Sequence, residues 1–357
     1  MKIIDAHLHA REPGSVEFDE VMPIYSALSA GVYMMNFATP LDLSSPDAAI
    51  DRVAEYHAEI MGAAKNAGNR RHRAYLMPVM AADWTPSRLW RFLGAAVRAK
   101  LPLAGFKLFT PGQSTNAASA PTTEQAAPLI DVLEEADIPL ALHMEDPDEP
   151  ILANKEAAAV CRILPWLLSR AGARRDMRIS MEHISTAEGL TAAREYGLRY
   201  TITPHHLAVS REMLGARRPE SAEEKLKMNP FLFCKPIIGS SGDRATLAWR
   251  FAKMDGDIML GSDSAPHDQS KKVHGAGIPV ENPAAGIFMG GTLAAYGVAL
   301  GDMTRDYAEK YSVNAAEFYR MDLDRMDDAK EPDESGLKRV FNARDLIADL
   351  HRARPRE

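Results

Sequence analysis

Cysteine is scarce: Cys161 and Cys234 are the only two in 357 residues. They make no disulfide framework and no thiolate metal motif. Long apolar runs are missing as well, and none approaches the roughly 18 residues a membrane span needs. Residues 1–5 show neither an h-region nor a cleavage site, so a soluble, cytoplasmic chain without a signal peptide is expected. There is no surplus of positive charge. The 42 Lys and Arg stand against 49 Asp and Glu, a net charge of -7, which is no field for a nucleic-acid backbone. No internal repeat or long linker is visible. What the chain does have is hydrophobic residues, 46% of the total, enough for a sizeable core.

Those residues are grouped in eight short apolar runs, each ending in polar residues: 3–7, 31–36, 74–79, 104–109, 138–143, 178–183, 200–204 and 257–263. Nearly continuous apolar strands imply burial on both faces, as in a parallel sheet covered by helices. The segments between them read as helical. Ser45 and Pro46 form an N-cap and first-turn pair, after which Ala49, Val53, Tyr56 and Ile60 share one face until Gly68. Thr122 and Gln125 make a capping box, while Pro128 and Pro165 interrupt helical patterns. Eight strands alternating with helices predict an α/β fold, a (β/α)8 TIM barrel. A doubly wound open sheet is the alternative, but no Gly-rich fingerprint follows the first strand. The expected organisation is one domain over residues 1–357, with 325–357 as a C-terminal extension packed on the barrel. Residues 108–122, rich in Gly, Pro, Ser, Thr and Ala, suit a mobile active-site loop. Residues 321–334 read as an acidic solvated stretch, and 342–357 as an amphipathic helix with a basic tip.

The unusual polar residues fall at the ends of these strands. His7 and His9 close the first, Lys107 lies within the fourth, His143 ends the fifth, His183 the sixth and Asp263 the eighth. In a parallel barrel all of them open onto the face where barrel enzymes keep their active sites. Residues i and i+2 of a strand point the same way, so His7 and His9 can grip one metal. Each has a bland reading: a lone His-X-His arises by chance, and a single buried histidine is more often hydrogen-bonded core than ligand. Four histidines and an aspartate at successive strand ends have no such reading, since every buried polar group costs free energy unless satisfied. Imidazole and carboxylate donors suit Zn²⁺, with Fe, Co or Mn as substitutes. Lys107 sits among Gly105, Phe106, Leu108 and Phe109, where a bare ammonium is strongly disfavoured. Either it snorkels to water, or desolvation leaves a neutral amine that captures CO₂ as a carbamate able to bridge two cations.

Seven ordered motifs carry a resemblance. His7-Leu8-His9-Ala10-Arg11 resembles the opening signature of cyclic amidohydrolases. Gly261-Ser262-Asp263-Ser264-Ala265-Pro266-His267 is similar to the strand-eight signature of the dihydroorotase family. Between them, residues 34–40, 106–109, Leu142-His143, Glu182-His183-Ile184 and Thr203-Pro204-His205-His206-Leu207 follow in that family's order, so the likeness covers most of the chain. It implies that His7, His9 and Asp263 bind one Zn²⁺, that His143 and His183 bind a second, and that N6-carboxylated Lys107 bridges the two. It further implies that Arg11, Asn36 and His267 hold a substrate carboxylate beside His143, and that backbone groups near Lys235 and Ala276 meet a pyrimidine ring. Arg offers a planar fork for a carboxylate. Ser114, Thr115 and Asn116 resemble the tip of a lid that closes over substrate, and a homodimer is implied.

The reaction implied is reversible hydrolysis of dihydroorotate to N-carbamoyl-L-aspartate, a step of pyrimidine biosynthesis. A hydroxide between the two cations would attack, with Asp263 as general base and then acid. Three departures stand out. Lys235 replaces an apolar residue, Ser114 replaces a threonine, and Glu12-Pro13-Gly14 looks like two-domain relatives. Hydantoinase- or allantoinase-like enzymes are the nearest alternative, yet they place a β-sandwich where only six residues precede His7, and the Arg11, Asn36 and His267 set calls for an anionic substrate. A catalytically silent partner subunit is the other alternative, although every ligand position is filled.

Overall fold

Eight strands alternate with helical segments in the computed structural model, which describes residues 1–113, 119–150, 153–170, 177–214, 229–274, 283–301 and 304–352. The strands are β1 (Ile4–Leu8), β2 (Ala30–Met35), β3 (Arg73–Pro78), β4 (Phe106–Phe109), β5 (Leu140–His143), β6 (Ile179–Met181), β7 (Arg199–Ile202) and β8 (Ile258–Leu260). Nearly every strand residue is buried, as two covered faces require. All pairings are parallel and follow chain order in two runs, β1-β2-β3 and β4 to β8. Parallel bridges join the runs at both seams, Leu76 to Leu103 and Val79 to Lys107 on one side and Leu8 to Ser264 on the other. The sheet therefore closes on itself as the expected (β/α)8 barrel, and the open-sheet alternative falls away.

The helices follow their sequence signals, with one correction. The Pro46–Asn66 helix buries Ala49, Val53, Tyr56 and Ile60 on one face and begins at Pro46, but Ser45 makes no side-chain capping bond. Its backbone is not in the extended conformation that aims a cap hydroxyl at the first turn. Thr122 and Gln125 form the complete capping box. Pro128 stays inside the Thr123–Glu135 helix without ending it. The acidic stretch is less solvated than its charges suggest, because Met321 and Met326 are buried beside Phe318 and Tyr319. Farther on, the backbone amides of Lys338, Arg339 and Val340 all donate to the Glu20 carboxylate. The Arg344–Arg352 helix then buries Ile347. No helix among the described residues is long and apolar enough to cross a membrane.

Candidate active site

The seam between β1 and β8 sets the first donor group. His7 O accepts from Asp263 N (2.9 Å), and His9 N donates to Ser264 O (3.0 Å). Beneath them the buried Asp5 carboxylate accepts from the amides of His7 (3.1 Å) and Ser262 (3.0 Å) and from the Thr292 hydroxyl (2.8 Å). Gly261 allows this closeness, since a Cβ there would stand 2.7 Å from Thr201 Cβ and 3.1 Å from His7 Cβ. The result is a triangle of donors: His7 Nε2 to His9 Nε2 is 3.3 Å, His9 Nε2 to Asp263 Oδ1 is 3.4 Å and His7 Nε2 to Asp263 Oδ1 is 3.5 Å. Two ligands about 2.1 Å from a tetrahedral ion lie about 3.4 Å apart. The triangle fits one metal ion.

A carboxylate outside the triangle sets its tautomer. His7 Nδ1 donates to Glu182 Oε2 (2.7 Å), leaving the Nε2 lone pair facing the other donors. Glu182 is itself held by the hydroxyls of Ser180 (2.5 Å) and Thr201 (3.1 Å). The second pair has the same construction. His143 Nε2 donates to Glu145 Oε2 (2.8 Å), and His143 Nδ1 faces His183 Nε2 at 3.0 Å. Burial holds His7 and His183 far below the ordinary imidazole range, and lowers His9 and His143 too, so ring lone pairs are available at neutral pH. Burial pushes Asp263 the other way, but its hydrogen bond with His9 and the two flanking imidazoles outweigh it and hold the carboxyl below its usual range.

Lys107 is completely buried, near enough for its charge to act on His7, His9, His143 and His183, and its Nζ finds no hydrogen-bond partner among the described residues. The ammonium stands 5.4 Å from the centroid of the Phe109 ring. Burial lowers its pKa to about 8, against the opposing pull of Glu182 and Asp263. A snorkelling lysine is ruled out by this placement, since Nζ does not reach water.

Arg11, His183 and Asp263 adopt positive φ of 70°, 41° and 44°. The other non-glycine residues in that region, Lys100, Asp137, Met254 and Arg320, follow helix ends, where left-handed backbone is routine. At strand ends it is strain held in place by the surroundings. Thr201 does so for His183, accepting from its amide at 2.6 Å.

His7, His9, Arg11, Asn36, His143, His183, Lys235 and Asp263 line one pocket, with Phe109, Gln113, Ala265, Ala285 and Gly286. The guanidinium of Arg11 donates through Nε to Pro266 O (2.8 Å), and its Nη2 lies 3.0 Å from His267 Nε2. That same nitrogen is 2.8 Å from Ala285 O. A carbonyl only accepts, so one tautomer of His267 cannot satisfy both neighbours. Where His267 Nε2 donates to Ala285 O, the Arg11 Nη2 hydrogens are left over for an acceptor in the pocket. Lys235 turns its ammonium to Gly112 O (3.1 Å), at the foot of the loop after β4. Ser114, Thr115, Asn116 and Ala276 lie outside the described residues.

Sequence reasoning gave Glu182, Glu145 and Asp5 no role. Their signal was present, because each acid stands beside or two residues from a histidine at a strand end. Gln113 and Gly286 carried none; Gly286 has φ 136°, and a Cβ would meet Ala265 O at 2.9 Å.

A closed barrel with histidine and aspartate donors converging at its strand ends defines a hydrolase of the amidohydrolase class. Comparison narrows it. The chain is 30% identical over 300 residues to the dihydroorotase of Helicobacter pylori, covering 80% of this chain and 74% of that one. It is 30% identical over 271 residues to the dihydroorotase of Rhizobium meliloti, covering 74% and 70%. Among solved structures, the dihydroorotase of Saccharomyces cerevisiae in complex with 5-fluoroorotic acid superposes with a TM-score of 0.71 at 20% identity, covering 91% of this chain and 85% of that one. No family model matches the chain. The chain belongs to the dihydroorotase family.

Proposed function

We propose that the chain is a dihydroorotase, a cyclic amide hydrolase that interconverts dihydroorotate and N-carbamoyl-L-aspartate at this pocket. The observation that carries the reading is a pocket lined by both donor groups and Arg11, with a buried, unpartnered Lys107 whose charge acts on all four histidines. His7, His9 and Asp263 would hold one divalent cation and His143 and His183 a second, with Zn²⁺ the ion these donors suit best. Lys107 would reach both after its neutral amine adds to CO₂ and loses a proton, giving a carbamate. Its otherwise unexplained burial supports this. When bound, the cation pair supplies a Lewis acid for the ring carbonyl and lowers the pKa of water.

The chain's own residues do the rest. Arg11 carries a fork for the substrate carboxylate, with Asn36 and His267 adding hydrogen-bond capacity beside it. This set orients the ring so that its amide carbonyl faces Asp263. The Asp263 carboxylate, held ionised, takes the proton from the attacking water and returns it to the departing ring nitrogen. Glu182 and Glu145 keep His7 and His143 in the tautomers that present lone pairs to the pocket. Lys235 adds a cation to the pocket wall, which favours dianionic N-carbamoyl-aspartate over monoanionic dihydroorotate.

Turnover assays with protein of measured metal content test the reading. Dihydroorotate and N-carbamoyl-aspartate are expected to be consumed, with hydantoin and allantoin poor substrates. Preference for either of the last two, or no turnover of the first pair by metal-loaded protein, overturns it.

A further inference from the structure

A second cluster of ligand-type side chains lies outside the donor groups described above. His205 and His206 open the short Pro204–Ala208 helix that follows β7. Cys234 stands in the segment just before the Lys235–Pro236 peptide. One donor atom from each of the three lies within 4.8 Å of the others, and all three residues are buried. Closing such a group onto an ion needs shifts of about 1 Å, given bonds of about 2.1 Å to nitrogen and 2.3 Å to sulfur.

The cluster is also unsatisfied. His206 has no hydrogen-bond partner on either ring nitrogen among the described residues, and His205 Nδ1 has none. His205 Nε2 has only a long contact, 3.5 Å, to Thr203 Oγ1. An orphaned buried donor or acceptor loses its hydration without replacement, and two adjacent histidines with three such atoms are not explained by packing. The Cys234 thiol donates to Pro236 O at 3.1 Å, a weak bond that is readily exchanged.

We propose that His205, His206 and Cys234 form a third, structural site for a borderline-soft divalent cation such as Zn²⁺. Imidazole and thiolate are the donors such ions select. Burial keeps both imidazoles neutral, as ligation requires. On binding, a metal–sulfur bond forms, the Cys234 S–H bond breaks and its proton passes to solvent. The ion joins the helix after β7 to the segment that carries Lys235 into the pocket wall. It therefore staples one side of the pocket without contacting the reacting atoms.

Cobalt substitution tests this through a readout the first site cannot give, because the donors placed there include no sulfur. The holoenzyme is reconstituted with Co²⁺ in wild-type, Cys161→Ser and Cys234→Ser proteins. Expected is a thiolate-to-cobalt charge-transfer band in the wild type and in Cys161→Ser, lost in Cys234→Ser together with one equivalent of bound cobalt. Absence of the band from the wild type overturns the proposal with no variant needed. Its loss in Cys161→Ser, or its persistence in Cys234→Ser, overturns it as well. None of these outcomes depends on dihydroorotate turnover, so the two readings fail separately.

Discussion

The barrel buries histidines at both of its ends, and the two ends treat them differently. At the amino-terminal end His72, just before β3, donates through Nδ1 to Leu28 O (3.0 Å) and accepts at Nε2 from the Tyr33 hydroxyl (2.8 Å). Both ring nitrogens are used by the protein, and the ring serves the fold. At the carboxy-terminal end His7 and His143 each spend one nitrogen on a carboxylate and turn the other toward further donors at 3.0 to 3.5 Å. Ring nitrogens crowded this closely either share protons with one another or, as proposed above, converge on a cation. What separates the two ends is therefore not burial, which is nearly complete in both. It is whether the second nitrogen meets a hydroxyl that serves the fold, as in His72, or another titratable side chain of the cluster, as in His7 and His143.

Breaking the mouth of the barrel has the largest consequences. Asp263→Asn keeps an oxygen in the donor triangle but removes the proton acceptor, so kcat is expected to fall by about 10²- to 10⁴-fold, with metal content near that of the wild type. Steady-state kinetics together with metal analysis check this, and retained turnover would end the role given to Asp263. A smaller effect is expected one layer out. Glu182→Ala frees the His7 tautomer and should weaken metal binding by about 10- to 100-fold. Glu182→Gln keeps an acceptor for His7 Nδ1 and should lose less. Chelator competition measures both, and equal affinities in the two variants and the wild type would make Glu182 part of the fold alone.

Much of this was legible in the sequence because barrel geometry converts strand order into position. All eight apolar runs became strands, so polar residues at their ends had to meet, and the Thr122–Gln125 box capped its helix as written. What stayed hidden depends on contacts between distant segments. Glu182 reads as one acid among 49 Asp and Glu until His7 is placed against it. Arg11, His183 and Asp263 adopt left-handed backbone that no local propensity favours. His205 and His206 belong to a family-like motif, yet Cys234 reaches them only through the fold, 28 residues of chain after His206 by the numbering of the two. Ser45, conversely, had the right residue type for a cap and lacked the backbone to use it.

The smallest effect is expected at the amino-terminal end, where it shows as stability and not as catalysis. Burial lowers the His72 pKa from 6.5 to about 4, opposed by its bond to Leu28 O. A folded-state value below the unfolded one means that the unfolded chain binds the proton first as the solution is acidified. The stability His72 contributes is complete above pH 6.5 and is lost as pH falls from 6.5 toward 4. The slope is about 1.4 kcal/mol per pH unit while the unfolded ring is charged and the folded one neutral. His72→Asn keeps an amide donor for Leu28 O but cannot titrate, so denaturant unfolding between pH 6.5 and 4 should show a shallower loss of stability than the wild type. Its kcat and metal content at neutral pH should match the wild type. Parallel pH profiles for the two proteins would mean that His72 is protonated in the fold, and that its two partners do not distinguish it from the histidines at the mouth.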